Sequence, residues 1–205
     1  SSSTVPLNAG ASFRHVSTAS ELAFQAAARS KAITPAAAWL VESGLEFPGE
    51  VAVLADDSGL EVQTLAWAPG VHSARFAALD DGRPGNSADA ENNAKLLRLL
   101  AAIPEAPRRA RFRCVLAWTA LSAGREASEG ESLRGALAAN TVFFEGSCEG
   151  RIVDRASGGG GFGYDPLFVP DGQSGTMAEL GEAVKNRISH RARALASLMD
   201  ALRQP

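Results

Sequence analysis

Two adjacent carboxylates, Asp56 and Asp57, follow a short apolar run and precede Ser58-Gly59. The apolar run, 51–55, is typical of a strand buried on both faces of a sheet, and ligands collect at the ends of such strands. Adjacent side chains at a strand end point in different directions, so one carboxylate could face a metal ion while the other orients it. Oxygen ligands of this kind suit Mg²⁺. The structural alternative is an acidic turn in which an aspartate caps the following amide groups.

A second set of polar side chains lies near the end of the chain and comprises Lys185, Ser189, His190 and Arg191. Arginine presents five donors in a rigid fork, histidine adds one or two, and serine adds another. Such a cluster can hold phosphate oxygens or bind the oxygen-rich edge of a base. Lys185 lies nearly one helical turn before Ser189, so the two could share a helix face. Solvated residues on a helix surface would explain the lysine and the arginine equally well.

A glycine-rich loop is the third candidate. Four glycines, 158–161, lead into the turn 162–166, where two aromatic residues flank a glycine. Glycine permits positive φ and the proline fixes the exit direction, so the aromatic rings could form a slot for a flat ligand. A surface loop whose rings fill the core is the alternative. The loop leads into a strand and not a helix, which excludes a dinucleotide fingerprint. The candidate ligand contacts are Phe162, Gly163, Tyr164 and Asp165.

Alternating and helical hydrophobic patterns predict the elements that position these residues. We predict strands at 51–55, 60–65, 111–119 and 167–169, and a hairpin whose two sides are 141–146 and 150–153. We predict helices at 20–32, from a cap at Ser87 or Asp89 to Leu100, and at 184–202. This order of elements indicates a single α/β or α+β domain.

Composition narrows the classes of function. The chain has 205 residues, enough for one sizeable domain, and its net charge of −3 without a basic block gives no indication of nucleic-acid binding. No apolar run reaches the roughly 18 residues that a membrane span needs, and the first residues are not typical of a signal peptide. Cys114 and Cys148 make neither a disulfide framework nor a zinc motif. We therefore expect a cytoplasmic protein without nucleic-acid or membrane partners.

Taken together, these segments resemble the inosine triphosphate pyrophosphatase family, which hydrolyses noncanonical purine nucleoside triphosphates. Seven segments fall in the family's order from about residue 51 to the end of the chain. They are Leu54–Val62, Pro69–Phe76, Asn92–Leu97, Ala110–Cys114, Phe144–Gly146 with Gly150–Ile152, Gly161–Pro166, and Met177–Leu180 leading to Lys185–Ala192. Each segment is a weak match alone, but seven in the same order are hard to produce by chance.

The resemblance implies an elongated α/β fold over residues 1–205, with a mixed central sheet and two lobes around a cleft. It also implies a homodimer, dependence on Mg²⁺, and hydrolysis of ITP, dITP or XTP to the monophosphate and pyrophosphate. By resemblance, Asp57 is the catalytic acidic residue, with Asp56 and Ser58 beside it. The base-binding turn corresponds to Phe162, Gly163, Tyr164 and Asp165. The cluster that contacts phosphate and the purine edge corresponds to Lys185, Ser189, His190 and Arg191.

Residues 1–20 depart from the family's pattern. The family's first strand leads to a Ser/Thr-x-Asn-x-x-Lys loop that grips the triphosphate, and the nearest match here, Asn8-Ala9-Gly10, lacks the lysine. We therefore expect this region to be atypical or truncated, with Arg14, Arg29 or Lys31 as candidates to replace the lysine. A catalytically impaired nucleotide-binding relative is the alternative to an active enzyme.

The family's metal-binding glutamate corresponds to Glu21 when its next motif is aligned on residues 18–27. An alignment anchored on Lys31 would place Ala26 there instead, and we prefer Glu21. The resemblance thus implies Mg²⁺ held by Glu21 and Asp57.

The resemblance also implies a mechanism. Asp57 or Asp56 would position a water molecule for in-line attack between the α and β phosphates. His190 and Arg191 would donate to the 6-keto oxygen of the purine, where adenine carries an amino group instead. Which of the two aromatic rings, Phe162 or Tyr164, would stack on the base is left open by the sequence.

Overall fold

The computed structural model describes residues 24–26, 50–122 and 141–203, and the account below concerns these parts of the chain. The strands are β1 (Glu50–Val62), β2 (Arg109–Ser122), β3 (Val142–Ile152) and β4 (Phe168–Pro170). The helices are α1 (Asp89–Ala101), α2 (Glu182–Ile188) and α3 (His190–Arg203), and residues 24–26 are also helical. The rest of the predicted first helix, including Glu21, lies outside the described residues.

The four strands form one sheet in the order β1-β2-β3-β4, and each pairing among them is antiparallel. Helices packed on this sheet confirm the α/β class. The parallel pairing that a mixed sheet also requires is not among the pairings of the described residues. The predicted strand at 111–119 is the central part of β2. Residues 112–117 are all buried, so this part of β2 is covered on both faces of the sheet.

The prediction that Asp56 and Asp57 lie at the end of a short strand is wrong, and so is the alternative of an acidic turn. β1 continues through Asp56-Asp57-Ser58-Gly59 to Val62, and the predicted second strand, 60–65, begins inside it. All thirteen residues of β1 pair with β2, so the two aspartates lie within a ladder and not at its end. Gly59 marks close packing, because a Cβ there would overlap the carbonyl oxygen of Gly70.

The predicted hairpin is also wrong, because 141–146 and 150–153 belong to one continuous strand, β3. Its two glycines permit close approach and do not form a turn. A Cβ at Gly146 would overlap the carbonyl oxygen of His190 and the main-chain nitrogen of Ala194, both in α3. A Cβ at Gly150 would overlap the carbonyl oxygen of Val169 in β4. The glycines therefore let α3 and β4 lie directly against β3.

The single long helix predicted at 184–202 is divided into α2 and α3. Ser189 separates them with an extended backbone, φ −65° and ψ 155°. Its hydroxyl accepts a hydrogen bond from the main-chain nitrogen of Ala192 at 3.2 Å, so Ser189 caps the start of α3. The predicted helix ending at Leu100 corresponds to α1, but neither Ser87 nor Asp89 caps it with its side chain.

Three apolar clusters of the described residues surround this framework. The largest lies between the sheet and α1 and includes Leu60, Phe112, Leu96, Phe168 and Met177. A second lies under α3 and includes Cys114, Leu116, Ala194 and Leu198, and a small third one contains Ala55 and Ala117. Both cysteines are buried free thiols. Within the described ranges, no helix is long and apolar enough to cross a membrane.

Replacing Gly146 with alanine should destabilise the protein, because its methyl group would push α3 away from β3. Overpacking of this kind typically costs about 1–3 kcal/mol in the free energy of unfolding. Urea denaturation of Gly146→Ala would measure the loss. Gly159→Ala is the matched control, since nothing lies within 4 Å of a Cβ at Gly159. Equal stability of the two variants would contradict the close packing of α3 on β3.

Candidate active site

One face of β1 carries Asp56 and Ser58 towards the start of α3. Successive side chains of a strand alternate between faces, and the side chains of Cys114 and Ala194 pack together beneath this face. The thiol of Cys114 donates to Oδ2 of Asp56 at 3.7 Å, and Ser58 Oγ donates to Oδ1 at 3.3 Å. The sheet therefore presents an oxygen-bearing surface to the N-terminal turn of α3.

Arg191 in that turn binds Asp56 through two hydrogen bonds. Its Nε donates to Oδ2 at 2.6 Å and its Nη2 to Oδ1 at 3.1 Å. Burial raises the pKa of the Asp56 carboxyl, but the hydrogen bonds and charge of Arg191 outweigh burial and hold the pKa below its ordinary value. Asp56 is thus a carboxylate at neutral pH, with both oxygens engaged by the guanidinium.

His190, the first residue of α3, is buried and stacks on Phe112 with ring centroids 5.0 Å apart. Its Nδ1 is buried and has no hydrogen-bond partner among the described residues. Burial and, to a smaller extent, the charges of Arg191 and Lys185 lower the pKa of His190 to about 4, against the opposite effect of Asp56. The imidazole is therefore neutral at pH 7. A buried polar atom in this state is suited to a ligand that supplies the missing hydrogen bond.

The two aromatic residues of the glycine-rich turn have different environments. Tyr164 is buried, and its hydroxyl donates to the carbonyl oxygen of Ser73 at 2.9 Å. Phe162 is 64% exposed, and its ring centroid lies 6.0 Å from the guanidinium carbon of Arg191. The structure therefore separates an inward-packed ring from an exposed ring that is available to stack on a ligand.

Asp165 and Lys185 connect this turn to α2. Nζ of Lys185 donates to Oδ2 of Asp165 at 2.8 Å, and the same oxygen accepts from the main-chain nitrogen of Phe162 at 3.3 Å. Gly161 has φ +79°, and a Cβ there would overlap the Asp165 carboxylate. A glycine is thus required where the loop passes over this buried ion pair.

A cleft of about 780 Å³ lies between the glycine-rich turn and helices α2 and α3, within the usual range for ligand pockets. The predicted site residues that line it are Phe162, Asp165, Lys185, Ser189, His190 and Arg191. A smaller cavity of about 150 Å³ adjoins it and is lined by Ser58, Gly163 and Tyr164, among others. Phe162, Asp165 and His190 contribute to both. The structure thus brings together the predicted base-binding turn and the Ser-His-Arg cluster.

Asp57 lies on the opposite face of β1 from Asp56. Val115 is directly opposite Asp57 in the sheet, and Glu145 is opposite Val115, so the two carboxylates share that face. Arg113 forms an ion pair with Glu145. The side chains of the two adjacent aspartates therefore lie on opposite faces of the sheet.

The helical residues 24–26 pack on the Asp57 face. Nε2 of Gln25 donates to Oε1 of Glu145 at 2.9 Å, and Phe24 lies within 3.0 Å of the position that a Cβ at Gly59 would occupy. Glu21 precedes Phe24 by three positions but lies outside the described residues. In the ranges that the structure describes, no group of three or more histidine, cysteine, aspartate or glutamate side chains is placed to hold a metal ion.

Sequence reasoning missed two residues of α1 that contact the site. Asp89 accepts a hydrogen bond from the main-chain nitrogen of Gly163 at 2.6 Å, and Asn93 donates to its carbonyl oxygen at 3.0 Å. We considered Asp89 only as a helix cap. A signal was present in the sequence, because two hydrogen-bonding side chains four residues apart share a helix face.

Comparison with known proteins places this geometry in context. A family model described as the Ham1 family matches residues 11–201. The protein named dITP/XTP pyrophosphatase from Desulforamulus reducens is 50% identical over 157 residues, which cover 77% of this chain and 67% of that protein. Its namesake from Porphyromonas gingivalis is 48% identical over 148 residues, which cover 72% and 64%. The chain thus spans about two thirds of the length of these relatives.

Solved structures are similar as well. A HAM1 protein from Coxiella burnetii matches with a TM-score of 0.60 and 36% identity, covering 76% of this chain and 68% of that one. A nucleoside-triphosphatase / dITP/XTP pyrophosphatase from Mycobacterium abscessus matches with a TM-score of 0.57 and 39% identity, covering 86% and 76%. These findings confirm the resemblance that the sequence motifs indicate.

The buried neutral His190 should make stability depend on pH. Its pKa is about 4 in the folded protein and 6.5 in an unfolded chain. Between these values the unfolded chain binds a proton that the folded chain excludes, so stability falls as the pH falls from 6.5 towards 4. Above 6.5 this residue has no effect. We expect a loss of about 2 kcal/mol between pH 7 and pH 5.

Urea denaturation at the two pH values would test this, with His190→Gln expected to lose most of the dependence. The exposed His72 provides the control variant, His72→Gln, which should retain it. An unchanged pH dependence in His190→Gln would show that His190 is not the buried titrating group.

Proposed function

The chain belongs to the Ham1 family, and we propose that it hydrolyses noncanonical purine nucleoside triphosphates such as dITP and XTP to the monophosphate and pyrophosphate. The observation that carries this proposal is the cleft between the exposed ring of Phe162 and the Ser189-His190-Arg191 turn. A flat ring can stack on Phe162 while its edge meets hydrogen-bonding groups at the start of α3. This is the arrangement that a nucleobase requires.

Recognition of a 6-keto purine would follow from the hydrogen-bond donors that Arg191 and Ser189 present at the edge of the cleft. Arg191 only donates hydrogen bonds, and Asp56 fixes the plane of its guanidinium. Ser189 Oγ accepts from Ala192 and retains its own proton for donation. A keto oxygen accepts from such donors, whereas the amino group of adenine would leave donors facing each other. Each unpaired buried group costs about 1–3 kcal/mol, which is sufficient to discriminate between bases.

The phosphates and the metal would lie towards the other face of β1. Mg²⁺ fits the donors there, because Asp57 supplies a carboxylate on the face that residues 24–26 cover, and Glu21 precedes those residues in the sequence. Glu21 and Asp57 would hold it, and when bound it would neutralise phosphate charge and activate water. Asp57 would orient the attacking water. Asp56 is less suited to that role, because Arg191 engages both of its oxygens.

β1 is an edge strand of the described sheet, so one ligand could contact both of its faces. The base would lie beside Asp56 and Ser58, and the triphosphate would cross the strand to reach Asp57. The comparisons give no support to a catalytically impaired relative. The single domain over residues 1–205, the homodimer, the cytoplasmic location and the lack of nucleic-acid or membrane partners stay predictions from the sequence.

Asp57→Asn should lower kcat for dITP by about 100-fold or more, because the amide cannot accept a proton or hold a cation as the carboxylate does. Pyrophosphate release from dITP, XTP, ITP and ATP with Mg²⁺ would measure the effect. Asp81→Asn, at an exposed ion pair with Arg83, is the control and should retain activity. If the parent chain binds dITP but releases no pyrophosphate from any substrate, the impaired-relative alternative is correct.

Arg191→Ala should reduce the preference for ITP over ATP in kcat/KM by about 10-fold, since the donor that rejects adenine is lost. The same assay compares the two substrates, and a melting curve checks that Asp56 tolerates the loss of its partner. Arg193→Ala is the matched control, because that arginine of α3 donates instead to the carbonyl oxygen of Ser147. An unchanged ITP/ATP ratio in Arg191→Ala would remove Arg191 from the base site.

A further inference from the structure

Both main-chain polar atoms of Gly163 are bound by side chains of α1. Oδ2 of Asp89 accepts from the Gly163 nitrogen at 2.6 Å, and Nδ2 of Asn93 donates to the Gly163 oxygen at 3.0 Å. The two side chains lie four residues apart on one face of the helix. We name Asp89 and Asn93 the α1 clamp.

The helix that carries the clamp is firmly anchored. Asn92 accepts from the main-chain nitrogen of Ala77 at 2.8 Å, and Nζ of Lys95 donates to the carbonyl oxygen of Phe76 at 2.6 Å. Leu96 is fully buried in the apolar cluster between the sheet and α1. Because α1 is fixed in the core, the clamp holds the glycine-rich turn in a fixed position relative to this helix.

The residue that depends on this position is Phe162. It lies between Gly161 with φ +79° and Gly163 with φ +59°, and glycine has the greatest backbone freedom of any residue. Phe162 is 64% exposed, and the guanidinium carbon of Arg191 lies 6.0 Å from its ring centroid. Packing of the ring alone thus does little to fix where it lies. The hydrogen bonds to neighbouring main-chain atoms must do so.

We propose that Asp89 and Asn93 are positioning residues for base binding: by holding Gly163 they place the Phe162 ring over the cleft before the nucleotide arrives. This inference rests on the proposed function. Fixing a loop in its bound conformation increases affinity, because less conformational entropy is lost on binding. Neither side chain lines the cleft of about 780 Å³, although Asp89 lines the smaller cavity beside it. Since both side chains bind the main chain of Gly163, the clamp should act on binding and not on the chemical step.

The first experiment separates KM from kcat for dITP in Asp89→Ala and Asn93→Ala. We expect KM to rise about 5–10-fold in each variant and kcat to change less than about 2-fold. Asp89→Asn retains an acceptor oxygen and should restore most of the affinity. Glu91→Ala is the matched control, because it removes a carboxylate from the same first turn of α1 without contacting Gly163.

The second experiment tests whether the clamp acts through Phe162. In a Phe162→Ala background, Asp89→Ala should raise KM by less than about 2-fold, because the ring that it positions is absent. Three results would each overturn the proposal: an equal KM increase in Glu91→Ala, a fall in kcat with KM unchanged, or a full effect of Asp89→Ala without the Phe162 ring.

The same variants separate the clamp from the proposed function. Calorimetric titration with dITP measures affinity whether or not pyrophosphate is released. Weaker binding in the Asp89 and Asn93 variants would support the clamp even if the parent chain failed to turn over any triphosphate. Equal affinities for dITP in the parent and both variants would overturn the clamp even in an active enzyme.

Discussion

The pairing of β1 with β2 along its whole length determines where the candidate site can form. Because the ladder is continuous, Asp56 and Asp57 face opposite sides of the sheet. Asp56 becomes the partner of Arg191 beside the base-sized cleft, whereas Asp57 shares its face with Glu145. A shift of one residue in register would exchange these two environments. In the proposed function, strand register would thus separate base recognition at Asp56 from phosphate chemistry at Asp57.

A second constraint is the contact between β3 and α3. Gly146 brings the main chain of His190 and Ala194 against the strand, which fixes the start of α3 beside Phe112 and Asp56. Ser189 then determines where α3 begins by capping it. Two small residues, Gly146 and Ser189, therefore determine the positions of the α3 side chains that line the cleft.

The sequence predicted which residues line the cleft better than it predicted the elements that hold them. Periodicity predicted α1, because its buried side chains recur at helical spacing, and it predicted β2, although the centre of that strand is buried on both faces. It failed at Gly146 and Gly150, because the sequence does not distinguish a glycine required for close packing from a glycine required for a turn. The low pKa of His190 depends on burial by residues distant in sequence, and the resemblance indicated His190 without its charge state. The shared helix face of Asp89 and Asn93 is visible in the sequence, but it does not indicate that their partner lies 70 residues away.

His190 is neutral and Arg191 is charged, so these two adjacent residues offer different hydrogen-bonding groups to a ligand. A neutral imidazole carries one donor and one acceptor nitrogen, so it can adapt by exchanging tautomers to either a keto or an amino group. The guanidinium of Arg191 has no such freedom, since it can only donate. In the proposed function, selectivity against adenine would therefore belong to Arg191. His190 would make the site tolerant, which would allow one enzyme to accept several altered purines.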